Sequence, residues 1–421
     1  MFGTLSYWRA SCFILSLSAL ALIQGCAKVP TQTYNPLPSR LEGQVQMAGF
    51  PNVRAWGDTF SPTLEKSLND SIRQEGIASH GKLQPIISGL ALSGGGQNGA
   101  FGAGLLCGWT ASGKRPSFKL VTGISTGALI APFAFLGPAY DAELKRAYTT
   151  LSDKDIYKAH NPLVLFLAFT NIRPLPSLAA NTGLEQLIAR TIDENILKKI
   201  AAEHLKGRRL LVGTTQLNAQ RLVIWDMGAI AVKGTPEALA LFRKILLASA
   251  SIPVTFPPQF FKVVAAGKEY DEMHVDGGVQ TQVILFESSI RPFSNAANWL
   301  DSRQQRNLYV IRNQKVTPEW QYVNPQLKYI ATRAISSLTK SQGIADLYRL
   351  YAYAHRDSVN YKLAYIPYDF DLKPKSSYDT AYMNALFQRG YEMGRQGYAW
   401  NQYPPGFEPA RVTDKKIVAS Q

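Results

Sequence analysis

The sequence predicts an α/β protein built on a mostly parallel central sheet, and three observations lead there. Ile86-Ile87-Ser88-Gly89-Leu90-Ala91-Leu92 has the continuous apolar character of a buried strand, and Phe118 to Thr122 is a second such run. Between them lies a glycine-rich turn and a helical stretch, which makes a βαβ unit and favours parallel pairing. Further on, strand-like runs continue to alternate with amphipathic helices. With 421 residues, 46% apolar and 18% charged, the chain has the composition of a globular protein able to bury a sizeable core.

From the start, Met1 to Arg9 is short and weakly basic, and Ser11 to Ile23 is apolar but too short for a span of roughly 20 residues. Residues 1–25 therefore read as a secretory signal. Ile23-Gln24-Gly25-Cys26 resembles the bacterial lipobox, which implies acylation of Cys26 and lipid anchoring without a spanning helix. Ala27 follows where an Asp would direct inner-membrane retention, so the resemblance points to the outer membrane. Cys12 would leave with the signal, so Cys107 alone remains in the mature fold, as a small buried side chain. That excludes an internal disulfide and a cysteine metal site.

The chain carries a net charge of +15, and loss of Arg9 with the signal leaves +14. For an exported, lipid-anchored protein, anionic phospholipid headgroups are the partners this charge implies, and nucleic acid is not. Residues 26–80 are rich in Pro, Ser, Asn and Gln and read as a tether followed by one peripheral helix over Thr63 to Ile72. Residues 81–400 form the main domain, and 401–421 a tail. Within that domain helices are expected over Asp193 to Leu205, Thr235 to Ala250, Gln326 to Leu338, Ile344 to Tyr353 and Thr380 to Tyr398. Strands are expected over Arg209 to Thr215, Leu222 to Trp225, Tyr270 to Val275 and Leu308 to Ile311.

Ser93-Gly94-Gly95-Gly96-Gln97-Asn98-Gly99 satisfies GxGxxG, but a dinucleotide site needs an acidic residue after the second strand. None occurs from Gly76 through Tyr140. Gly108 to Lys114 approaches a P-loop, but Arg115 replaces the magnesium-binding hydroxyl and no strand leads into it. The three glycines suit another use: backbone amides beside a helix N-terminus, ready to meet negative charge.

After the second strand comes Gly123-Ile124-Ser125-Thr126-Gly127, a GxSxG pattern in strand–turn–helix context that would lift Ser125 into the open as a nucleophile. Amides of the glycine loop would then stabilise the oxyanion formed on attack. A hydroxyl needs a base. None of His160, His204, His274 and His355 sits in a convincing loop setting, although His274 is two residues before Asp276 on the same strand face. Asp276-Gly277-Gly278 puts an acid at a strand end before a tight turn; alone it reads as a plain turn.

Ser93 to Gly99, GISTG, Ala248 to Pro258 (ASASIPVTFPP) and Val275-Asp276-Gly277-Gly278 together resemble, in order and character, the four blocks of patatin-like phospholipases. The resemblance covers roughly Pro85 to Arg291. It implies a three-layer α/β/α fold with a helical C-terminal extension, a Ser–Asp dyad without histidine, and hydrolysis of lipid carboxylic esters through an acyl-enzyme, without metal or other cofactor. By motif, Ser125 becomes the nucleophile, Asp276 the base and Gly94, Gly95 and Gly96 the oxyanion loop, with the Ser249 to Pro258 segment shaping the pocket wall. Gly99, Gly123, Gly127, Gly277 and Gly278 are the accompanying motif glycines. Asn98 stands where the family usually has Arg or Lys. The leading expectation is a lipid-anchored acylhydrolase of phospholipase A type acting on membrane phospholipids. The alternative is a catalytically silent patatin-fold lipoprotein in lipid binding or envelope assembly. Pro162 to Phe169 and the tyrosines from Tyr348 to Tyr368 read first as packing, ahead of an acyl channel or an interfacial belt.

Overall fold

The computed structural model describes residues 34–82, 84–159, 176–285 and 304–407. Among them, one sheet holds ten strands, β1 (Gln46–Met47), β2 (Arg54–Trp56), β3 (Ile86–Leu92), β4 (Leu120–Ile124), β5 (Arg209–Gln216), β6 (Arg221–Asp226), β7 (Gln259–Ala265), β8 (Lys268–Asp276), β9 (Gln305–Arg312) and β10 (Asn360–Tyr365). Five run parallel in the order β10-β9-β3-β4-β5. Antiparallel strands extend the sheet beyond β5: β8, β7 and β1 follow one another, while β6 pairs β5 and β2.

Helices cover both faces, as α1 (Pro62–Ala78), α2 (Gly99–Ala111), α3 (Thr126–Leu136), α4 (Thr182–Thr191), α5 (Glu194–Leu205), α6 (Pro236–Ser249), α7 (Leu327–Arg356) and α8 (Thr380–Arg395). Their starts are set by local chemistry: Ser61, Asp193 and Thr235 each accept a first-turn amide, and Pro62 and Pro236 occupy the first helical position. Leu90 and Leu92 face the large core shared by α2, α3 and α8, whereas Ala91 between them faces the opposite core under α7, the two-residue period of a strand buried on both sides. On that second face α1 covers Leu211 and Ile224 through Leu64. The result is the expected three-layer α/β/α arrangement.

Three expectations are corrected. Residues 34–56 are not a tether but part of the sheet, with Met47 opposite Val263 and Arg54 opposite Trp225. The segment shows no apolar periodicity because its edge strands are only two and three residues long, yet it buries Leu37, Val45, Met47, Phe50 and Val53 in the main core. The two helices expected after Gln326 are one, α7. Gly343 interrupts the sequence pattern for packing reasons: a Cβ there would lie 2.1 Å from the Arg312 guanidinium. Finally, residues 401–407 belong to the domain: Asn401 exchanges backbone hydrogen bonds with Leu363, and Phe407 packs on Tyr351.

Candidate active site

Sheet register brings Ser125 and Asp276 together. Strand β4 runs along one edge of β5 until Ile124 stands opposite Gly213. Strand β8 arrives along the same edge from the other direction and ends with Asp276 opposite Thr214, one residue on. The two strand ends therefore meet head to head. Ser125 follows at once with φ 54° and ψ −125°, a strained conformation for a side-chain-bearing residue, and α3 starts behind it. The flanking glycines make the turn possible: a Cβ on Gly123 would lie 2.4 Å from the Gly127 carbonyl oxygen, and one on Gly127 2.4 Å from that of Leu92.

Ser125 Oγ donates to Asp276 Oδ2 at 2.6 Å. The other carboxylate oxygen accepts the Gly278 amide at 2.7 Å. Burial pushes the Asp276 carboxyl up to about 6, although the bonds from Ser125 and Gly278 pull the other way. An acid poised near neutrality is suited to taking a proton and giving it back. A Cβ on Gly277 would lie 2.6 Å from the Gly213 carbonyl, so the turn after Asp276 also needs its glycine.

The segment expected to shape the pocket wall grips both members of the pair. Ser249 Oγ accepts the Ser125 amide at 3.0 Å and donates to the Gly213 carbonyl at 2.7 Å. The Ser251 carbonyl accepts the Asp276 amide at 2.9 Å. Short polar side chains ending a buried helix, Ala248-Ser249-Ala250-Ser251, were the available signal for this role. Gln282 carried no such signal. Its amide nitrogen Nε2 holds the Gly278 carbonyl at 2.6 Å and its backbone nitrogen is bound by Asp346 of α7 at 2.6 Å.

The glycine loop lies against this pair, but its three members differ. The Gly94 amide is already spent on the Gln282 carbonyl at 2.9 Å, so Gly94 braces the loop and is not an oxyanion donor. A Cβ on Gly94 would sit 3.3 Å from Ser125 Cβ. Gly95 (φ 155°) and Gly96 (φ 57°) carry the turn, and among the described residues no acceptor faces their amides. Gly96 lines the same cleft as Ser125. Gly99 opens α2 where a Cβ would strike Thr126 Oγ1 at 2.2 Å. Asn98 faces away from the pair: its Oδ1 accepts the Tyr382 hydroxyl of α8 at 2.8 Å.

From Ser125 a narrow apolar cleft, open to solvent, runs between α3, α4 and α6 past Leu129, Phe133, Leu184, Ile188 and Leu246. No histidine among the described residues touches Ser125 or Asp276. His274, on the same strand as Asp276, is fully buried with Thr214 and Glu272 as its partners. His204 faces Asp226 across 3.6 Å. Burial pushes the Cys107 thiol up to about 12, an inert core side chain as expected. The tyrosines expected to pack are divided: Tyr361 is buried against Tyr351, while Tyr368 is exposed. Cys26, His160 and the run Pro162 to Phe169 lie outside the described residues.

Residues 90–285 match the family model of patatin-like phospholipases. The chain carries a patatin-like phospholipase domain. In this domain both Ser125 and Asp276, and the whole glycine loop, fall within the matched span. No curated protein matches the chain at a significant level. Among solved structures, VipD from Legionella pneumophila is similar at 12% identity and TM-score 0.36, over 74% of this chain and 66% of that one. ExoU from Pseudomonas aeruginosa, crystallised in complex with SpcU, is similar at 12% identity and TM-score 0.32, over 74% and 52%. Human GIVD cytosolic phospholipase A2 follows at 10% identity and TM-score 0.31, over 75% and 55%. The chain thus spans between half and two thirds of the length of these proteins. The patatin-like domain supports a lipid hydrolase.

Proposed function

We propose that the protein is an acylhydrolase of phospholipase A type, with Ser125 as nucleophile and Asp276 as its base. The observation that carries this reading is the 2.6 Å Ser125–Asp276 hydrogen bond at the head of an apolar cleft. The cleft suits an acyl chain. Ser125 Oγ attacks the ester carbonyl carbon while its proton passes to Asp276, and the carbonyl oxygen becomes an oxyanion facing the Gly95 and Gly96 amides and the α3 N-terminus. Collapse breaks the bond to the glycerol oxygen, which leaves with the proton from Asp276. Water then repeats the sequence on the acyl-enzyme: its proton goes to Asp276, its oxygen to the carbonyl, and Ser125 recovers the proton as the fatty acid departs.

Asn98 brings no charge near the reacting centre, in keeping with an oxyanion met by amides alone. The silent-fold alternative predicts no covalent chemistry at Ser125. A fluorophosphonate probe separates the two readings: the wild type labels and Ser125→Ala does not, whereas a folded wild type that resists labelling would refute the enzyme. The lipobox resemblance at Cys26 supports, in addition, attachment to the outer membrane through lipid. Incorporation of labelled palmitate that Cys26→Ser abolishes is the expected result, and equal labelling of that variant would refute the attachment.

A further inference from the structure

The 30-residue helix α7 has two unlike halves. In its second half Gly343, Leu347, Leu350 and Ala354 pack inward on β9 and β10. The first half does not pack at all: every residue from Leu327 to Leu338 except the half-buried Arg333 is exposed, and on the helical wheel its apolar side lies opposite the inward face of the second half. Leu327, Ile330, Ala334, Ile335 and Leu338 share an arc of about 140° on that outward side. They are exposed, Leu327 at 85% and Leu338 at 70%. The loop before the helix adds Trp320, 87% exposed, and Tyr322. A two-sided helix with its apolar side in water is an unfilled contact.

Charge and position identify what fills it. From Thr317 to Ala345 the chain has Lys328, Arg333 and Lys340 against one acid, Glu319, which pairs with Lys340 at 3.0 Å. On the helical wheel Lys328 borders the apolar arc on one side and Arg333 and Lys340 lie beyond its other side. Basic residues and aromatic rings flanking an apolar face are the composition of a helix lying in a headgroup layer. The arm runs into the part of α7 that braces the active site: Gln342 Nε2 reaches the Val279 carbonyl at 3.4 Å, three residues past Asp276, and Asp346 holds the Gln282 amide. Exposed Val279, Ile252 and Val254 continue the apolar rim, and Ile252 lines the cleft itself.

We infer that the Trp320–Leu338 arm docks on the surface of an anionic phospholipid bilayer and sets the cleft mouth against it. The inference takes its substrate from the acylhydrolase reading, but docking is measurable without turnover. The test uses the full chain carrying Ser125→Ala, with vesicles of equal parts phosphatidylglycerol and phosphatidylethanolamine bearing brominated acyl chains. Tryptophan fluorescence should be quenched, with the quenched component lost in Trp320→Phe and reduced roughly tenfold or more in apparent affinity by Ile330→Asp with Leu338→Asp. In the Ser125-intact protein the same pair should lower the ratio of vesicle to soluble-ester turnover by a similar factor. Quenching that ignores Trp320 or the paired substitution overturns the inference, as does a dimer that the pair splits while quenching persists. A parallel loss of vesicle and soluble-ester turnover would make the arm a support of the site and also overturn it. Quenching without any turnover by the wild type would refute the acylhydrolase and leave docking standing.

Discussion

At the scale of residues, two side chains 151 positions apart make the reactive unit, and each is held by partners that do no chemistry. Ser249 and Ser251 fix the two backbones, Gly278 orients the carboxylate, and burial tunes it. The burial has a kinetic consequence. Only the ionised carboxylate can take the serine proton, so with its carboxyl raised to about 6, Asp276 should impose an acid limb on kcat/KM. The expected profile falls roughly tenfold per pH unit below about 6 and is level above it. A profile flat down to pH 4 would remove Asp276 as the base. Ser125 and Asp276 were legible because a nucleophile turn and an acid turn leave glycine signatures. That the Gly94 amide is spent on Gln282 was not, since neither composition nor spacing records which carbonyl an amide meets.

At the scale of elements, the sheet decides the site: β4 and β8 could not present Ser125 to Asp276 unless both used the same edge of β5. The βαβ unit around the glycine loop was readable from apolar runs, and so were α5 from its amphipathic spacing and α6 from its start at Thr235 and Pro236. The edge strands β1 and β2 were not, being too short for periodicity. Nor was the continuity of α7, whose apolar face changes sides halfway. Helices α2 and α8 show what close contact demands: a Cβ on Gly104 would lie 2.1 Å from the Phe387 carbonyl oxygen. Backbone cannot yield there as a flexible side chain would. Gly104→Ala should therefore lower unfolding free energy by about 1–3 kcal/mol, measured by denaturant melting, and a loss under about 0.5 kcal/mol would contradict this packing.

At the scale of the molecule, the N-terminal segment is strapped to the strand that carries Asp276. Arg54 of β2 forms a buried two-pronged pair with Glu272 of β8, one contact at 3.1 Å, and Asn35 and Asp271 exchange backbone and side-chain bonds. Burial pushes Glu272 up, but Arg54 and His274 beside it bring it down to about 2. Removing the cation should strand that charge: Arg54→Met is expected to destabilise the protein by about 3–5 kcal/mol. An unchanged melting curve would show the strap to be dispensable. The measurement that bears most directly on the whole is acyl release from phospholipid vesicles by the wild type, Ser125→Ala and Asp276→Asn. Fatty acid release by the wild type and its loss in both folded variants is the predicted result; undiminished release by either variant would contradict the assignment of Ser125 and Asp276.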